Sequence, residues 1–239
     1  MTHRECIGIL GGMGPAATAD LFKKIIDNTD ARGDAEHIPM VVLNNPQIPD
    51  RTAAIINRGP SPLPLLLDGA EFLAKSGVSR IVIPCITAHH YFDQIVSAVD
   101  IPVHHLLLES LESITGNYPQ LTQFGLLATS GTIKTKLFSD LFSTRSLDII
   151  VPDSPKQNQV MEAIYGRRGI KQGYVDSPRA LLLSVIEHLA ERGAEAVIAG
   201  CTEIPLALRS KDLSIPLIDP ILEIARKLIS YCGFPLKSV

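Results

Sequence analysis

The chain has 239 residues, 46% of them hydrophobic and 20% charged, with a formal net charge of −3. A mean hydropathy of +0.20 and a pI near 6.2 mark a foldable globular composition, which excludes a disordered chain and a strongly basic nucleic-acid-binding face. With no Trp, 5 Tyr and 7 Phe, base stacking has little to work with, and no apolar run approaches the length of about 18 that a membrane helix needs. The opening residues run straight into an apolar strand and lack the basic, apolar and cleavage segments of a signal peptide. A cytoplasmic protein with no membrane or nucleic-acid partner is expected. Its four cysteines are widely spaced with no CxxC pair, so neither a disulfide framework nor a cysteine-only zinc site is expected.

Strand and helix signals alternate along the chain. Ile7 to Leu10 is an apolar strand ending at Gly11-Gly12-Met13-Gly14-Pro15, and a helix follows over Ala16 to Asn28. Met40 to Leu43 is the next strand, ending in a proline-rich polar loop from Asn44 to Thr52. Leu63 to Lys75 reads as a helix capped by Gly77, and Arg80 to Pro84 as a strand with Cys85 at its end. The second half repeats the plan: strand Phe124 to Leu127, a helix to about Phe142, strand Leu147 to Val151, helix Arg179 to Glu191, strand Ala196 to Ala199 ending at Gly200-Cys201, strand Ile215 to Ile218 and a last helix from about Pro220 to Ser230. Nearly continuous apolar strands predict parallel sheets covered by helices on both faces.

The halves share an internal spacing. Gly8 and Gly14 are separated as Gly125 and Gly131 are, and Gly77 stands before Cys85 as Gly193 stands before Cys201. An Ile-Pro pair then opens a strand in each half, at Ile101-Pro102 and Ile215-Pro216. This predicts two copies of one α/β lobe, with residues 1–103 plus about 212–239 in the first and 104–211 in the second. Ligands of open α/β sheets bind at the carboxyl ends of the strands, where Cys85 and Cys201 occupy equivalent positions. If the lobes face each other, the two thiols meet one cleft from opposite sides. Inverting a carbon centre needs that arrangement, with one group removing a proton and the other returning one. A thiol of ordinary pKa about 8.5 serves in either state. Two other readings stand beside it: a small buried hydrophobe, which suits Cys6 and Cys232, and a nucleophilic Cys85 with His89 as base.

Several segments together resemble the cofactor-independent aspartate/glutamate racemase family, most closely its aspartate racemase branch. They are Gly8 to Pro15, Asn44 to Thr52, Pro84 to His89, Gly125 to Thr132, Ile164-Tyr165 with Ile170 to Gly173, Ala199 to Glu203, and Pro216 to Pro220. They run in family order from residue 8 to residue 220. The resemblance implies two pseudo-symmetric Rossmann-like lobes with the site in the cleft between them. It implies a two-base mechanism through Cys85 and Cys201, with no pyridoxal phosphate and no metal, acting on aspartate or glutamate, and a homodimer. Where the family usually has Asn after the first cysteine, this chain has Ile86. Ile86 cannot make the amide's hydrogen bond to the substrate, a contact of roughly 1.5–3 kcal/mol when the partner is charged. Altered substrate preference, or a binding protein without catalysis, are the alternatives this raises.

The resemblance assigns Arg51 and Lys171 to the substrate carboxylate, a role the guanidinium fork suits well; without it, both read as solvated charges. Thr87 and Thr202 follow the cysteines and are candidates for the α-carboxylate or ammonium. Met13 and Thr129 lie in equivalent strand-to-helix loops whose N–H groups can face an anion. Asp50 and Glu203 are candidates to orient or tune a thiol. The pairs His89-His90 and His104-His105 do not read as a metal site, because adjacent side chains point apart.

Overall fold

Strand β1 (Ile7–Gly11) is buried along its whole length, as befits a strand with neighbours on both sides and helices on both faces. The computed structural model describes residues 5–238; residues 1–4 and 239 lie outside the description, and with them most of the opening segment on which the signal-peptide expectation rests. After β1 come α1 (Pro15–Asn28), β2 (Met40–Asn44), α2 (Arg51–Ile55), α3 (Leu63–Lys75), β3 (Arg80–Val82), α4 (Phe92–Val96), β4 (Val103–His104) and α5 (Leu106–Asn117). The strands form one parallel sheet in the order β2-β1-β3-β4. Gly77, at φ +81°, turns the chain out of α3. Arg51 opens a helix, where a loop was expected. Asp50 caps it by accepting the Ala53 N–H at 2.6 Å.

The second half contains β5 (Gln123–Leu127), α6 (Ser130–Lys134), α7 (Leu137–Ser143), β6 (Asp148–Ile150), α8 (Ser154–Tyr165), α9 (Asp176–Glu191), β7 (Ala196–Ala199), β8 (Leu217–Ile218) and α10 (Pro220–Tyr231). Its sheet is also parallel, in the order β6-β5-β7-β8. The repeat extends to register: Gly8 pairs with Val41 and Ile81, and Gly125 with Ile150 and Val197. The single helix expected up to Phe142 is two, broken at Lys136, whose φ of 55° cannot continue a helix.

The lobe boundary differs from the expected one. β8 pairs with β7 in the second sheet, so residues 212–239 do not go to the first lobe as a block. Only beyond β8 does the chain cross over: α10 packs on α1 and α5, and Thr29 bridges Leu236. In mirror fashion, α5 of the first half packs on α7 of the second. A shared core results, in which Ile7, Ile9, Val82 and Ile86 pack in one cluster with Phe124, Leu126, Phe138 and Ile198. Each lobe keeps a smaller core on its outer side, under α3 in one and under α8 and α9 in the other.

Candidate active site

Both cysteines follow the carboxyl ends of equivalent strands, Cys85 after β3 and Cys201 after β7. One chamber between the lobes is lined by both thiols. Met13, Arg51, Ile86, Thr87, Thr129, Lys171, Thr202 and Glu203 line it too, whereas Asp50, the other candidate to tune a thiol, borders the adjoining space instead. The chamber is tight, at about 10 Å³, the size of one water site. It opens into a vestibule of about 530 Å³ whose walls include Gly12, Pro46, Ile48 and Ile170. Met13, Arg51, Lys171 and Glu203 border both spaces.

Arg51 is 7% exposed, so its charge needs partners. Nη1 donates to the Ile48 and Pro49 carbonyls at 3.2 and 3.0 Å, and Nη2 to the Met13 carbonyl at 2.8 Å. Nε is buried with no partner. A guanidinium has five N–H groups. Three are engaged here, leaving Nε–H and one Nη2–H. Burial works against the charge, but the neighbouring Cys85 sulfur and Asp50 carboxylate more than restore it, so Arg51 stays protonated.

Cys201 Sγ lies 3.0 Å from Glu203 Oε2. Glu203 Oε1 accepts from Lys171 Nζ at 2.6 Å and from the Gly14 N–H at 3.0 Å. The anion at the Gly11–Gly14 loop is therefore the protein's own carboxylate. Burial pushes the Cys201 thiol up and the Glu203 carboxylate pushes it further; Lys171 only partly offsets them, and the thiol ends well above its ordinary range. For Lys171 burial acts downward, but Glu203 and the two thiols outweigh it and the ammonium is held.

On the other side, Thr87 Oγ1 lies 2.8 Å from Thr132 Oγ1 and 3.3 Å from Thr129 Oγ1, and Thr129 caps α6 through the Thr132 N–H. Thr52 Oγ1 donates to Thr129 at 3.1 Å. Thr202 Oγ1 donates to the Pro84 carbonyl at 3.0 Å, tying the two cysteine-bearing strand ends together. Having given its proton, Thr202 faces a ligand as an acceptor.

His89 is not a base for Cys85. The Leu106 N–H donates to Nε2 at 3.0 Å, so the proton sits on Nδ1 and is given to the Cys85 carbonyl at 2.9 Å. Burial and the nearby His105 pull its pKa down to about 3. Among the described residues no group of three or more His, Cys, Asp or Glu side chains is placed to hold a metal. Cys6 and Cys232 lie away from the chamber, and no disulfide links the four described cysteines.

One chamber residue, Tyr165, was missing from the sequence-derived site. Tyr165, the last residue of α8, donates to Asp50 Oδ2 at 3.0 Å and lies under Lys171, whose Nζ is 5.5 Å from the ring centroid. Glu203 was noted only as a residue able to tune a thiol. The repeat held a signal for it, because Glu203 stands after Cys201 as Thr87 stands after Cys85.

Two like lobes meeting over a chamber with a thiol from each form the architecture of a two-lobed α/β isomerase. The chain belongs to the Asp/Glu/hydantoin racemase family, whose model matches residues 10–228, and is an amino-acid racemase. It is similar to a broad-specificity amino-acid racemase of Bacillus subtilis (strain 168), at 27% identity over 232 residues, covering 94% of this chain and 96% of that one. Among solved structures it is similar to Picrophilus torridus aspartate racemase, with a TM-score of 0.88, 28% identity, and coverage of 98% and 96%. Glutamate racemase from Francisella tularensis subsp. tularensis SCHU S4, in complex with D-glutamate, shares the fold with a TM-score of 0.69 at 20% identity, covering 97% of this chain and 82% of that one.

Proposed function

We propose that the protein inverts the α-carbon of an acidic amino acid by a cofactor-independent two-base mechanism, with aspartate favoured and glutamate the alternative. The observation that carries this reading is the single chamber lined by both thiols and by two cations. One thiolate takes the α-proton from its face of the substrate, while the other thiol gives a proton to the opposite face; the reverse direction exchanges the roles. The unpartnered Nε of Arg51, with the remaining Nη2–H, offers a side-on fork to a carboxylate. Lys171 adds a second positive charge, and the Thr202 oxygen accepts from the substrate ammonium. A homodimer in the cytoplasm, with no membrane or nucleic-acid partner, belongs to the same reading; among the described residues no helix is long and apolar enough to cross a membrane.

A second reading, a racemase of broader range, is favoured by Ile86. This residue presents hydrocarbon to the chamber, and the Bacillus subtilis relative bears a broad-specificity name. One experiment separates the two readings. A panel of L-amino acids is incubated in deuterated water and scored for the D-form and for deuterium at the α-carbon. Turnover confined to aspartate or glutamate supports the first reading, and turnover of neutral residues the second. In Cys85→Ala and in Cys201→Ala, racemisation should fall to background in both directions. Near wild-type turnover in either variant would sink the two-base mechanism.

A further inference from the structure

The two halves place their thiols at equivalent strand ends, but the residues two positions further on differ in charge. Two positions after Cys85 stands Thr87, and two after Cys201 stands Glu203. Each reaches the start of the first helix of the opposite lobe: Thr87 meets Thr132 in the first turn of α6 at 2.8 Å, and Glu203 accepts the Gly14 N–H just before α1 at 3.0 Å. The first contact joins two neutral hydroxyls, and the second is a hydrogen bond to a carboxylate that is also paired with Lys171. Glu203 is 2% exposed, and its charge is met by Gly14 N–H and Lys171 on Oε1. Its Oε2 is left for Cys201 Sγ at 3.0 Å. An ionised carboxylate only accepts, so this bond requires the proton to be on sulfur. Among the described residues no carboxylate is hydrogen-bonded to Cys85 in this way: its side of the chamber has Arg51 and the threonine hydroxyls.

We propose that Glu203 is a positioning residue that keeps the proton on Cys201, and that it holds Lys171 in place until a substrate carboxylate takes over the ammonium. The proposal rests on the two-thiol reading above and assigns the two thiols different resting roles, Cys201 being the acid. In the direction this favours, the Cys85 thiolate forms an S–H bond as the Cα–H bond breaks, with the electron pair left on Cα. Cα then takes the proton of Cys201, whose S–H pair stays on sulfur. The protein ends with the proton on Cys85 and a thiolate at Cys201, beside Glu203. The other charged or titratable groups facing that thiolate are Lys171, Tyr165 at the end of α8, and Cys85 with Arg51 across the chamber. Of these, Lys171 opposes the carboxylate and Tyr165 remains a neutral phenol, with burial, Asp50 and Cys201 all raising its pKa. Two anions side by side are unfavourable, so Glu203 drives the return of a proton to Cys201 after each such turnover.

The test is infrared spectroscopy of the S–H stretch in the ligand-free protein. The Cys201 band is isolated as the difference between wild type and Cys201→Ala, and its loss is followed as pH rises. In wild type the band should show the low frequency of a thiol donating a strong hydrogen bond. In Glu203→Gln it should shift toward the free-thiol frequency and disappear at a pH lower by about one unit or more. A wild-type band at the free-thiol frequency, or a Glu203→Gln titration identical to wild type, overturns the proposal. The wild-type frequency decides even if Glu203→Gln fails to fold. Neither measurement uses substrate, so a negative result leaves the racemase reading standing. Protein that shows the expected band but racemises nothing would count against that reading alone.

Discussion

Ile86 faces two environments. It is 2% exposed, packs in the core shared by the lobes and forms part of the chamber wall. Ile86→Asn is expected to raise kcat/KM for aspartate by placing an amide beside Cys85, and to lower stability by about 2 kcal/mol or more through lost packing and a buried polar group. Steady-state rates and thermal melts of the same variant read the two effects separately; unchanged or lower efficiency on aspartate would show that the site recognises another side chain. At this scale the cysteines were legible because a duplicated spacing marked them twice. Arg51 was assigned to a carboxylate by the resemblance alone; which of its N–H groups stay free was not legible, because the carbonyls that occupy the others come from Met13, Ile48 and Pro49, which only the folded chain brings together. Tyr165 was hidden for the same reason: its partner Asp50 lies in the other half of the sequence.

Among the elements, the strands and the long helices α1, α3, α9 and α10 were readable, since burial of one sheet or one helix face leaves its period in the sequence. The segment from Ile86 to Tyr91 was not assigned. It is a 3₁₀ turn, too short to carry a period. The loop after β1 shows what pattern alone leaves out, because its glycines serve different ends. Gly12 has φ +98°, and a Cβ there would lie 2.3 Å from the Asn45 backbone. Gly14 needs no such conformation, but a Cβ there would lie 2.9 Å from Glu203 Oε1 and 3.3 Å from Lys171 Nζ. Gly12→Ala should therefore lower stability by upwards of about 1 kcal/mol, whereas Gly14→Ala should displace the Glu203–Lys171 pair, leaving the melting temperature within a few degrees of wild type and cutting kcat/KM at least about tenfold. Similar losses of stability in both variants, with activity retained in Gly14→Ala, would contradict this division.

For the whole molecule, the expected boundary failed because the chain crosses between lobes after each sheet is complete. β8 closes the second sheet, then α10 lies on α1; β4 closes the first, then α5 lies on α7. Strand signals report burial and do not report which sheet a strand joins, so Ile215 to Ile218 could not be placed from periodicity. His89 sits at one of these crossings, joining the Cys85 carbonyl to the Leu106 N–H at the start of α5. Accepting the Leu106 N–H at Nε2 requires neutral imidazole, so the two bonds coexist only in that form. Burial, aided by His105, lowers its pKa from 6.5 to about 3, so below pH 6.5 the unfolded chain binds a proton that the folded protein refuses. The unfolded state then binds more protons, and stability falls as pH falls from 6.5 toward about 3. His105, also lowered chiefly by burial, adds to the same slope. Glu109 acts lower down: burial raises it, but His104 and Lys227 outweigh that and bring it to about 2, so its stabilisation is lost as pH falls from 4.5 toward about 2. The melting temperature should accordingly begin to fall below pH 6.5, above the range in which ordinary carboxylates titrate. His89→Asn, although less stable at neutral pH, should show a shallower fall in that upper window and keep the steep lower one. An upper slope as steep in the variant as in wild type would mean that the lobe crossing does not depend on a neutral His89.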